Sequence, residues 1–107
     1  MIRSYHYAAR SGLMQRVDEG VVARDPEAIA ELEPWVDAWF QWTAAAFLGG
    51  YLHVTEGSAV LPPDREHLRI LLDAYLIEKA VYEVGYELNN RPDWLPIALA
   101  GVEFHLA

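Results

Sequence analysis

The segment Asp64-Arg65-Glu66-His67-Leu68-Arg69-Ile70-Leu71-Leu72-Asp73-Ala74-Tyr75-Leu76-Ile77-Glu78-Lys79-Ala80-Val81-Tyr82-Glu83-Val84-Gly85-Tyr86-Glu87-Leu88-Asn89-Asn90-Arg91-Pro92 carries helix signals at both ends. Asp64 is an N-cap residue, and Glu66 puts an acid in the first turn, where the helix dipole favours it. Asn89-Asn90-Arg91-Pro92 is a stop signal. The helix is expected to run to about Asn89. Some 25 residues at about 1.5 Å each make a rod of ~38 Å, which commits the chain to a helical class.

Stepping by three and four residues around this rod gives two faces that do not read as solvent-facing. Ile70, Ala74, Ile77, Val81, Val84 and Leu88 form a purely aliphatic one, expected to be the seam against the core. Leu72, Tyr75, Lys79, Tyr82 and Tyr86 form a second on nearly the opposite side, flanked by Glu83 and Glu87 on one edge and Glu78 on the other. A small domain needs one buried stripe per outer helix, so the tyrosines face something else. Phenols combine an apolar body with a polar tip, and with an ammonium and carboxylates nearby they suit a polyol ligand. The alternative is a helix sandwiched between two layers, its hydroxyls hydrogen-bonded and Lys79 paired to a glutamate. The glutamates themselves read most simply as a solvated face.

Upstream, Ile2, Tyr5, Ala9, Leu13 and Val17 recur at helical spacing and predict a first helix over Ile2–Val17, weakened at Gly12 by about 1 kcal/mol relative to alanine. Asp25-Pro26-Glu27 is an N-cap, a first-turn proline and a first-turn acid, so a short helix should run to about Leu32, and Pro34 restarts or kinks it. A long helix is expected over Pro34–Thr55. It is apolar on all sides, which predicts burial on all sides. Trp35, Trp39, Trp42 and Ala46 make one stripe, and Val36, Phe40, Thr43, Phe47, Tyr51 and Val54 a neighbouring one. The indoles read first as core packing, with a sugar-stacking platform as the lesser alternative. Gly49-Gly50 reads as a place where another backbone comes close. A last helix is expected over Pro96–His105. The fold class is therefore all-α, a bundle of about four main helices forming one domain over residues 1–107.

Composition agrees. Of the 107 residues 53% are hydrophobic, too apolar for a disordered chain, and a domain this size buries roughly 60–65% of its unfolded surface. There are no cysteines, which excludes disulfides and thiolate metal sites. The net charge of −8 would repel a phosphate backbone or an anionic membrane surface. Neither an export signal nor a membrane span is expected, and a cytoplasmic protein is the default. His6, His53, His67 and His105 lack bundle-type metal-ligand spacing, so no metal site is expected and surface or capping roles are read for them. Neither a phosphate-binding glycine loop nor a supported nucleophile triad occurs.

The run from Leu72 to Pro96, with Glu78-Lys79-Ala80, Tyr82-Glu83, Tyr86-Glu87-Leu88-Asn89-Asn90-Arg91-Pro92-Asp93-Trp94 at its heart, resembles the C-terminal signature of bacterial maltokinases, which occur alone or fused behind a trehalose synthase. The opening Ile2–Ala9, and Trp39 with Ala46–Tyr51, are similar to the segments that precede it, so the resemblance covers nearly the whole chain in order. It implies the C-terminal helical subdomain of a protein-kinase-like fold of the aminoglycoside phosphotransferase type, in a parent enzyme that uses ATP and Mg²⁺ to convert maltose to maltose 1-phosphate for α-glucan synthesis. By the resemblance Lys79, Tyr82 and Tyr86 line the sugar site, with Glu83 as a further member, which favours the ligand reading of the tyrosine stripe. The family's catalytic loop, acidic metal motif and nucleotide lobe have no counterpart in these residues. The chain is thus expected to be a C-terminal part of such a kinase, holding no catalytic residues and no cofactor of its own and inactive alone. The missing N-terminal lobe would be its partner. Exposed apolar surface should make the isolated chain a homo-oligomer through the first helix, the Tyr75–Tyr86 face, or both. The competing reading is a non-catalytic helical interaction or packing module attached to a trehalose synthase or another α-amylase-family enzyme.

Overall fold

In the computed structural model, which describes residues 1–107, helix α1 spans Ile2–Asp18, one residue beyond the expected end. It closes on a glycine turn. Gly20 takes φ +76°, its N–H donates to the Val17 carbonyl at 3.1 Å, and the Val21 N–H donates to the Arg16 carbonyl at 3.0 Å. This pair of bonds satisfies carbonyls the helix end leaves open, and the left-handed position selects glycine. Ile2, Tyr5, Ala9, Leu13 and Val17 of α1 are half-buried, whereas Arg3 and His6 are its deepest residues. The expected surface or capping role of His6 is thereby corrected: its ring lies 5.2 Å from that of Phe40, edge to face.

Helix α2 is one element, Pro26–Val54, and not a short helix followed by a long one. Pro34 lacks the N–H that would bond back one turn. Arg10 of α1 spans the defect, donating to Asp37 at 2.6 Å and lying 3.8 Å from Glu33. With Glu33 just before Pro34 and Asp37 one turn after it held by the same guanidinium, and Phe40 buried beyond them, packing overrides the local break.

Helix α3 spans Arg65–Asn90. The Asp64 carboxylate accepts the Glu66 N–H at 2.8 Å, the expected cap, a contact of about 1 kcal/mol. Arg91 leaves helical geometry at φ −142°, ψ 73°, as the residue before a proline is pushed to do. A 3-10 turn, Pro92–Trp94, leads into α4, Leu95–Leu106. The chain is therefore all-helical, with four α-helices and no strand. No helix is long and apolar enough to cross a membrane.

The residues form two compact units, 1–50 and 51–107. In the first, α1 lies against the middle of α2 through Tyr5–Phe47 and His6–Phe40 ring contacts and the Arg10–Asp37 pair. In the second, α3 packs along α4 and the 3-10 turn. The unit boundary falls at Gly50, but a Cβ at Gly49 or Gly50 would meet nothing within 4 Å. The close backbone approach expected there does not occur.

Three expectations about faces are also corrected. The α3 seam is not the aliphatic stripe: Ile70, Ala74, Val81 and Leu88 are exposed, and Ile77 and Val84 are half-buried. The buried arc runs through Leu72, Leu76, Ala80, Glu83 and Glu87, about a third of a turn away. Ala80 on α3 and Ile97, Ala98 and Gly101 on α4 are buried, and small residues let helix axes approach closely. Glu83 and Glu87 are not a solvated face, being 8% and 1% exposed. On α2, the stripe Val36, Phe40, Thr43 and Phe47 faces inward, while Trp35, Trp39 and Trp42 are exposed. Burial on one side only is what a two-helix layer provides, so these indoles are not core.

Candidate functional site

The outward tyrosine stripe of α3 is the site the sequence singles out. Steps of four and three residues set Tyr75, Lys79, Tyr82 and Tyr86 in line on one face. Tyr75 and Tyr82 are each more than 60% exposed, and Tyr86 is 45% exposed. Tyr75, Glu78, Lys79 and Tyr82 border a shallow open hollow of about 330 Å³. The Lys79 ammonium sits 4.6 Å above the centroid of the Tyr82 ring, a cation–π contact of about 0.5–1 kcal/mol at an exposed site. That contact holds the ammonium beside the hollow.

Of the four residues expected in the site, Lys79 and Tyr82 come together at this hollow. Tyr86 lies one turn further on and is engaged elsewhere, with the Arg91 guanidinium carbon 5.6 Å above its ring. Glu83 points away, into the buried arc, which sets it apart from the hollow. Tyr75 and Glu78, which the sequence placed in or beside the stripe, line the hollow instead. Chemically the surface offers two phenolic faces for stacking, hydroxyls that both donate and accept, an ammonium with three donors and a carboxylate acceptor.

Sequence reasoning missed the support beneath this face. Glu87 and Arg91 form a two-armed pair, with Arg91 Nε donating to Glu87 Oε2 at 3.0 Å and Nη2 to Oε1 at 2.7 Å. The guanidinium also stacks 4.2 Å over the Trp94 ring, while the Asn90 side-chain amide donates to the Tyr86 carbonyl at 2.8 Å. The last turn of α3 is thus tied to the 3-10 turn. A Glu four residues before an Arg is a readable helix pair; its burial is not readable from spacing.

A second surface feature belongs to the first unit. An apolar groove of about 390 Å³ runs between α1 and α2, bordered by Ala8, Ala9, Gly12 and Leu13 on one side and Trp35 and Trp39 on the other. No trio of His, Asp or Glu side chains gathers closely enough to hold a metal ion. No family model matches this chain, and no solved structure matches it either.

Proposed function

We propose that this chain is the sugar-acceptor side of an ATP-dependent maltose kinase, a part that positions the disaccharide and depends on another lobe for phosphoryl transfer. The observation that carries the reading is the outward Tyr75–Lys79–Tyr82 face with the ammonium held over a phenol. Its residues fall within the run that resembles the maltokinase signature. In this reading Tyr82 and Tyr75 stack on the apolar faces of the glucose rings, and Lys79 and Glu78 read hydroxyls. Tyr86 extends the surface, and buried Glu83 acts from beneath it. In this reading ATP and Mg²⁺ belong to the other lobe. A cytoplasmic setting follows from the same reading, because ATP is the phosphoryl donor. The exposed indoles of α2 favour the second reading, a helical interaction module attached to a trehalose synthase-type enzyme.

Amide NMR of the labelled chain titrated with maltose tests the first reading. Weak millimolar binding, about 4 kcal/mol in free energy, is expected to shift signals of Tyr75, Lys79 and Tyr82. Lys79→Ala, which removes a charged hydrogen-bond donor, should weaken binding about tenfold. Absence of any shift at these residues up to about ten times that range would refute sugar contact here.

A further inference from the structure

We infer that the tryptophan face of α2 is a self-association surface and that its occupant is a second copy of this chain, with the two α2 helices running antiparallel across a two-fold axis. The inference is independent of the sugar reading and uses residues of the first unit, not the second.

A two-fold contact must be complementary to itself, and this face carries both halves of such a fit. Trp35 and Trp39 border the groove against Ala8, Ala9, Gly12 and Leu13. Trp42 is 81% exposed and projects two turns beyond Trp35, about 10.5 Å along the axis. With the two-fold midway between these two positions, Trp42 of each copy meets Trp35 of the other at the mouth of the groove. The same register sets Trp39 against Ala38, a large residue against a small one, on either side of the axis. It sets exposed Glu31 opposite exposed Ala46, so acidic side chains face small neutral ones and the net charge of −8 is not concentrated at the contact.

The area suffices for association. The three indoles, exposed at 75%, 50% and 81%, present together about 400–500 Å² if each offers roughly 200–250 Å² in full. With Ala38, Ala45 and Ala46, also exposed, two such faces bury on the order of 1,200 Å², the lower bound of a specific stable interface. Tryptophan is also the residue type most enriched among interface hot spots.

Light scattering and sedimentation over a concentration series test this. The expected mass at high concentration is twice the 12.1 kDa of the chain, with a blue-shifted tryptophan emission that returns red on dilution. Ala38→Arg keeps every indole and, because Ala38 is exposed, should keep the helical circular dichroism. It should weaken the dimer at least about tenfold by forcing a charge beside the axis. Trp42→Ala should do the same. Tyr75→Glu, in the second unit, should leave the dimer intact. A monomer at every concentration, or a dimer indifferent to Ala38→Arg, overturns the inference. So does a dimer dissolved by Tyr75→Glu while Ala38→Arg leaves it whole.

Discussion

Phe40→Ala is expected to cost about 3–5 kcal/mol of folding free energy, the range for deleting a buried aromatic ring. Phe40 is 2% exposed, the deepest apolar side chain of α2. Its ring receives the edge of His6, which is itself 1% exposed. Truncation therefore removes the transfer energy of the ring, leaves a cavity, and withdraws the aromatic wall from a buried imidazole. Neighbours collapse poorly into such a space because the Arg10–Asp37 pair one turn away fixes α1 in place against α2. Native domains have only about 5–15 kcal/mol in hand, so the variant should be largely unfolded in mild urea. Phe40→Leu, which keeps most of the volume, should cost under about 1.5 kcal/mol. Urea titrations followed by circular dichroism measure both. Equal midpoints for the two variants would show that Phe40 is not the packing centre of this unit.

The contrast between Phe40 and its neighbours shows how far the sequence could be read. Helix existence was legible, because caps and stops are local chemistry. Asp64, Asp25-Pro26 and Arg91-Pro92 each act on their own turn, and α1, α3 and α4 fall within two residues of expectation. The unbroken passage through Pro34 was not legible, because it depends on a guanidinium arriving from another helix. Which side of a helix is buried was harder still. On α2, both stripes are apolar, and hydrophobicity states what would gain from burial without naming what covers it. Val36, Phe40 and Phe47 turn toward α1, whereas Trp35, Trp39 and Trp42 stay exposed. On α3 the error had the opposite cause. Spacing showed an aliphatic stripe and a phenolic stripe, and the buried arc lies between them, through Ala80, Glu83 and Glu87. Burying a carboxylate is expensive unless it is hydrogen-bonded to a charge, so a pattern of apolar residues cannot point to it. The outward course of Tyr75, Lys79 and Tyr82 was legible as a stripe, but the separation of Glu83 from them was not.

Arg91→Ala should have the second-largest effect, through the carboxylate it leaves behind. Glu87 is 1% exposed and receives two charge-assisted hydrogen bonds from Arg91. Removing one partner of a fully buried pair costs about 3–5 kcal/mol, chiefly through the desolvated charge that remains. Here the guanidinium side chain is 44% exposed, and water that reaches it can reach part of the vacated space, so about 2–3 kcal/mol is expected. Loss of the stack on Trp94 at 4.2 Å adds some 0.5–1 kcal/mol. Arg91→Lys restores the charge but not the planar fork or the stacking plane, and should recover less than half of the loss. Both values follow from urea unfolding, and a cost for Arg91→Ala within about 0.5 kcal/mol of zero, the range of an ordinary surface change, would remove the clamp from the structure's supports. The same variants bear on the candidate site. The Arg91 guanidinium lies over Tyr86 as well, whereas the Lys79–Tyr82 contact one turn earlier does not involve it. Arg91→Lys should therefore shift the Tyr86 ring resonances while leaving those of Tyr75 and Tyr82 in place. That pattern would separate the hollow, built by α3 alone, from the end of the stripe, which depends on the turn that follows it.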